Sequence, residues 1–168
     1  MFKKQIEGIT KTLNEPGEVY YGNHKSEFFK TIDGSIFLFN ANGTFFIEFK
    51  DKDEIDYIIK HFKLYDKELV NYDSIVERVK EWTKDSIKLY DDVNYNWFKS
   101  RKIYDKKYDR KIIDLLDEGT DVIMSYPYIT RIFEITRGKF SFNFSGSLEP
   151  VILENKNYYV CLMPIKRA

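Results

Sequence analysis

Few residues of this 168-residue chain could do chemistry, and three of them lie close together in the sequence. Glu48 and Lys50 are one residue apart in "FFIEFK", an otherwise apolar run, and Asp33 precedes the run before it. Two carboxylates and an ammonium are the types that acid and base work at a bound metal ion requires, as in phosphodiester cleavage. They are also what the polar face of an ordinary strand looks like. The other reactive types are sparse. His24 and His61 lack the companions of a zinc site or a catalytic triad, so each is expected to be a surface or boundary residue. Cys161 lies in "YYVCLM", where it is expected to be a small buried hydrophobe with an unreactive thiol. "SFNFSGSLEP" holds neither a nucleophile elbow nor the glycine spacing of a phosphate loop.

Periodicity indicates the elements that must position these residues. Phe2, Ile6, Ile9 and Leu13 have helical spacing, ended by Pro16 and Gly17. Apolar runs at 27–32, 35–40 and 44–50 are separated by Asp33-Gly34 and Asn42-Gly43, both strong signals for two-residue hairpin turns. A three-stranded antiparallel meander follows. Asp51 and Glu54 have capping-box spacing ahead of Ile55, Ile58, Ile59 and Phe62, which share one helix face. A second helix is predicted from Asp73 or Ser74 through Ile87. A third is predicted over 95–118, with Trp97, Tyr104, Tyr108, Ile112 and Leu115 as its stripe and Gly119 beyond its end. Four strands close the chain, 131–135 with 140–143 across Arg137-Gly138, and 148–154 with 157–163. The last pair is apolar on both faces and should lie centrally. The expected fold is one α+β domain over 1–168: an N-terminal helix and meander, a central three-helix segment, and a C-terminal antiparallel meander of about four strands.

An acid at the start of one strand, then acid, any residue and lysine on the next, resembles the motif of the restriction-endonuclease-like nucleases. The order helix, three strands, helix resembles the front of their core. The resemblance covers about the first 65 residues. It implies that Asp33 and Glu48 would share Mg²⁺ while Lys50 orients a water or stabilises phosphate charge. Register opposes it. A turn at Asn42-Gly43 sets Glu48 opposite Phe37 and Lys50 opposite Ser35, leaving Asp33 about 13 Å along the strand from that first pair. No metal or other cofactor is expected on that register.

The same pairing, with a two-residue turn at Asp33-Gly34, aligns Phe29, Leu38 and Ile47 on the core face. On the other face it aligns Phe28, Phe39 and Phe46, and then Lys30, Phe37 and Glu48. A sheet rich in phenylalanine on both faces must be covered twice or must bind something. Phe28, Phe37, Phe39 and Phe46 are therefore candidate contacts for another protein. A second candidate is "FKSRKIYDKKYDRK", where Lys99, Lys102, Lys106 and Arg110 would line one side of the third helix and could hold nucleic acid or an acidic protein.

Composition limits the remaining classes. Lys plus Arg equals Asp plus Glu at 27 each, so binding to polyanions must come from a local patch. A 17% aromatic share asks for a large core or a partner. No apolar stretch matches a signal peptide or a spanning helix, and the chain is read as cytosolic, with no membrane partner. Together these readings lead to the expectation of a non-catalytic protein that occludes a macromolecular partner, of inhibitor, immunity or anti-defence type and carried by a mobile element. The rival expectation is the Mg²⁺-dependent nuclease built on Asp33, Glu48 and Lys50.

Overall fold

A computed structural model describes residues 1–15, 25–65, 72–146 and 148–165. The chain forms an α+β structure around an eight-stranded sheet, with a second sheet of three strands. Helix α1 (Lys3–Asn14) leads into strands β1 (Glu27–Lys30), β2 (Ile36–Phe39) and β3 (Phe45–Phe49), the expected meander. After α2 (Lys52–His61), the two-residue strand β4 (Leu64–Tyr65) adds in parallel to β1. Helix α3 (Tyr72–Thr83) then precedes strand β5 (Ile87–Val93). The C-terminal strands β9 (Phe140–Phe144), β10 (Val151–Glu154) and β11 (Tyr158–Leu162) complete the large sheet in the order β4-β1-β2-β3-β11-β10-β9-β5. Five residue pairs, from Phe45↔Leu162 to Phe49↔Tyr158, join the two meanders along β3 and β11. All five residues of β11 are buried, as its two-sided apolar pattern requires.

Both faces of the sheet are covered. Phe28, Leu38, Ile47, Leu153 and Val160 form one core with Ile9 of α1, Ile58 of α2, Phe98 of the short helix α4 (Tyr95–Lys99), and Ile129, Ile132 and Ile135 of α5 (Tyr126–Ile135). Phe37, Phe39, Phe46, Ile152, Tyr159 and Cys161 face the other way and pack against Tyr72, Val76 and Val79 of α3. Gly8 lets α1 approach α5 closely, because a Cβ there would lie 3.1 Å from the Cβ of Glu134.

Three expected elements differ. The 95–118 helix ends at Lys99; strands β6 (Lys102–Asp105) and β7 (Arg110–Asp114) follow, pairing with β8 (Ile123–Ser125) in the three-stranded sheet. Tyr104, Tyr108 and Ile112 recur every fourth residue, which fits a helix. That spacing also arises when a four-residue turn separates two strands, and the turn, Lys106 to Asp109, contains no glycine. Asp109 supplies the left-handed residue instead, at φ 49°. The second predicted helix stops at Thr83, and Ile87–Val93 becomes an edge strand against β9. The predicted strand 131–135 is the end of α5. Ser125 caps this helix by accepting a hydrogen bond from Tyr128 N, and Pro127 stands in its first turn, where no backbone donor is needed.

The register of the meander is half as expected. Glu48 faces Phe37 and Ile47 faces Leu38. Between β1 and β2, however, the turn has three residues, Ile32, Asp33 and Gly34: Thr31 N donates to Ser35 O at 2.9 Å and Gly34 N to Thr31 O at 3.0 Å. Leu38 consequently pairs with Phe28 rather than Phe29. One added turn residue moves Phe28 into the main core and Phe29 to the α3 side, where its ring lies 4.9 Å from that of Tyr72.

Candidate functional site

The fold gives Asp33, Glu48 and Lys50 separate partners. Glu48, on β3, points to the α3 side and pairs with Lys80 Nζ at 3.5 Å; the same ammonium lies 5.2 Å from the Tyr159 ring centroid. Lys50, just past β3, donates to Glu154 Oε2 at 2.8 Å and to Asn155 O at 3.3 Å. Asp33 stays in its turn, accepting from Thr31 Oγ1 and from Ser35 N at 3.1 Å. The Thr31 hydroxyl, followed by the Ser35 hydrogen bonds, holds its carboxyl below the usual range. Each group thus has a local structural partner. Among the described residues no three His, Cys, Asp or Glu side chains gather as metal ligands.

The remaining reactive types are as quiet. His61 stacks on Tyr57, ring centroids 4.3 Å apart, in the last turn of α2. Cys161 is buried, and burial pushes its thiol well above the ordinary range. His24 lies outside the described residues. No helix among them is long and apolar enough to cross a membrane.

Phe28, Phe37, Phe39 and Phe46 are not surface residues. They are 0, 1, 6 and 4% exposed. Phe28 belongs to the main core; the other three form a second core beneath α3, with Phe39 stacked 4.4 Å from Tyr72. The docking face they would have formed is taken by the chain's own helix.

One buried polar cluster was not anticipated. Glu54 is 2% exposed, and its carboxylate accepts from Gln5 Nε2 at 2.7 Å and from the Tyr158 hydroxyl at 2.7 Å, with Arg137 Nε 3.4 Å away. Gln5 also donates to Ile135 O at 2.9 Å. Burial first, and then the hydrogen bond to Glu54, raises the Tyr158 hydroxyl far above its ordinary value. The sequence signal was present in part: Asp51 does cap α2 by accepting from Glu54 N at 3.1 Å. Glu54 directs its carboxylate inward, where it ties α1 and α2 to β11. Its hydrogen bonds are made within the protein, so it acts as a structural staple.

A cleft of about 700 Å³ opens between α3 and the β2–β3 loop, with Phe39, Phe45, Phe46, Ile75 and Val79 in its lining. Its polar groups hold its walls: Asn40 Oδ1 accepts from Thr44 N at 2.7 Å and from Phe45 N at 2.8 Å, and Asn42 Nδ2 donates to the Tyr128 hydroxyl at 3.1 Å.

The basic segment has the clearest unspent chemistry. Lys99, Lys102, Lys106 and Arg110 do not line a helix; they fall on the end of α4, the start of β6, the β6–β7 turn and the start of β7. Arg110 is engaged locally. Its Nε donates to Asp105 Oδ2 at 2.9 Å and its guanidinium lies 4.6 Å from the Tyr108 ring centroid. Arg101 is engaged too, donating to Glu118 at 2.6 Å and stacking 3.9 Å from Trp97. The Tyr90 hydroxyl and then Arg101 hold the Glu118 carboxyl below its usual range. Asp109 accepts from the Tyr104 hydroxyl. Asp105, Asp109 and Glu118 therefore have partners within the hairpin region, whereas Lys99, Lys106 and Lys111 have no anionic partner among the described residues and are exposed. The ammonium groups of Lys102 and Lys107 lie over aromatic rings, Tyr126 at 5.0 Å and Tyr108 at 5.2 Å, and form no ion pair among the described residues. The result is a local surplus of ammonium groups on a neutral protein.

Comparison with protein-family models, with curated proteins and with solved structures finds no match for this chain.

Proposed function

We propose that this chain is a non-catalytic binding protein that occludes an anionic macromolecular partner through the β6–β7 hairpin. The supporting observation is the imbalance of pairing there. The arginines are spent on Asp105 and Glu118, while Lys99, Lys102, Lys106, Lys107 and Lys111 remain exposed without a carboxylate among the described residues. In a protein with equal numbers of acidic and basic residues, such a patch supplies attraction only at short range, so binding should be local and sensitive to salt. The register that sets Glu48 opposite Phe37, four residues from Asp33, also favours binding over cleavage.

The first test is retention on immobilised heparin in a salt gradient. Lys106→Glu with Lys107→Glu should elute at markedly lower salt than the wild type. Lys3→Glu with Lys4→Glu, exposed on α1, should elute with the wild type. Equal loss of retention in both pairs would leave only nonspecific charge, and unchanged retention in the hairpin pair would remove the hairpin from the site.

A further inference from the structure

We infer that the hairpin's partner is single-stranded nucleic acid, with Tyr104 as a stacking platform for a base and the lysines around it as contacts for the flanking phosphates. The inference rests on the preceding reading and names its partner. Tyr104 is directly opposite Lys111 in the β6–β7 ladder, so both side chains leave the same face, and Lys102, two residues away, shares it. Tyr104 is 54% exposed, which leaves its ring within reach of a partner. Its hydroxyl is tethered to Asp109, the left-handed residue of the turn, which fixes the ring's position at its outer end. A tethered, exposed ring costs little further entropy when a planar base stacks on it.

The cations argue for phosphate rather than for an acidic protein. All five exposed cations here are lysines, and lysine is depleted in the interiors of protein–protein interfaces. As a compact point charge, it suits a phosphate backbone without demanding bidentate geometry. Lys102 on β6 and Lys106 in the β6–β7 turn stand two residues before and two residues after Tyr104, so an ammonium group lies on either side of the ring along the chain. Arg110 and Lys107 both lie against the Tyr108 ring, at 4.6 and 5.2 Å from its centroid. Exposed rings distinguish single strands from duplexes, because only unstacked bases offer a free face.

Fluorescence anisotropy with labelled thymidine and uridine oligonucleotides of about 12 residues, a blunt duplex of the same length, and polyglutamate as competitor tests this. Either single strand should bind more tightly than the duplex, and the preferred sugar identifies DNA or RNA as the source. Tyr104→Ala should weaken single-strand binding about 5- to 150-fold. Tyr104→Phe, which keeps the ring, should retain most of it. Replacing Lys106 and Lys111 by Gln should lower the slope of log affinity against log salt by about 0.7 for each phosphate no longer neutralised. Circular dichroism of each variant checks that the fold is intact, and a misfolded Tyr104→Ala leaves the Phe and Gln variants to decide. Duplex binding as tight as single-strand binding, or no effect of Tyr104→Ala in a folded protein, overturns the assignment. Hairpin-dependent heparin retention with competition by polyglutamate and no oligonucleotide binding overturns it in favour of an acidic protein, while leaving the broader binding reading in place.

Discussion

Glu54 is buried with its carboxylate facing three donors, and removing it would leave the Tyr158 hydroxyl without its acceptor and the Gln5 amide with one acceptor fewer, Ile135 O remaining. Glu54→Ala should therefore lower the unfolding free energy by roughly 2 to 4 kcal/mol, because orphaned buried donors cost more than a hydrogen bond returns. Glu54→Gln keeps an acceptor of the same size and should lose less. Urea denaturation of both variants measures the difference. At this scale the sequence is only partly legible. The Asp51–Glu54 spacing announces a helix start, but the inward turn of the carboxylate depends on Gln5 and Tyr158, which are far away in sequence. The same limit applies to the hairpin lysines. Their number is plain in the sequence, but which cations are free depends on Arg110 finding Asp105 and Arg101 finding Glu118.

At the scale of elements, the turn after β1 decides which face each phenylalanine occupies. Gly34 adopts φ +90° there, and no atom lies within 4 Å of where its Cβ would be. Gly34→Ala should therefore cost about 1 to 2 kcal/mol from backbone conformation alone, with Gly34→Asn costing less, and thermal unfolding of the pair checks this. Asp33-Gly34 was legible as a turn, yet its length was not. The pair supports a two-residue turn equally well, and the third residue, Ile32, is a β-branched hydrophobe that reads as strand although it is 94% exposed. Segment 95–118 failed for a related reason, since a glycine-free turn leaves no punctuation between strands. α5 was readable from Ser125 and Pro127, but the alternation of Phe133 and Ile135 imitated a strand.

For the molecule as a whole, the double coverage of the sheet accounts for much of the aromatic content. It also buries hydroxyls. Tyr72, Tyr158 and Tyr159 are raised above the ordinary tyrosine range chiefly by burial, Tyr159 to about 12. A raised folded-state value means that their contribution to stability is complete below the unfolded-state value, near pH 10, and is lost as pH rises through the folded-state values. Stability should therefore fall above about pH 10, and these phenolates should appear in the ultraviolet together with the loss of far-ultraviolet dichroism. The α+β class and the central place of the last hairpin were legible from patterning alone. The joining of β3 to β11 was not, since strand order across a sheet is set by packing that no local signal encodes. That junction also constrains biosynthesis. While the chain leaves the ribosome, residues 45–49 have only β2 beside them until residues 158–162 arrive, so the sheet's central seam can close only after more than a hundred further residues have been made, and the nascent protein must keep a phenylalanine-rich strand edge unpaired until then.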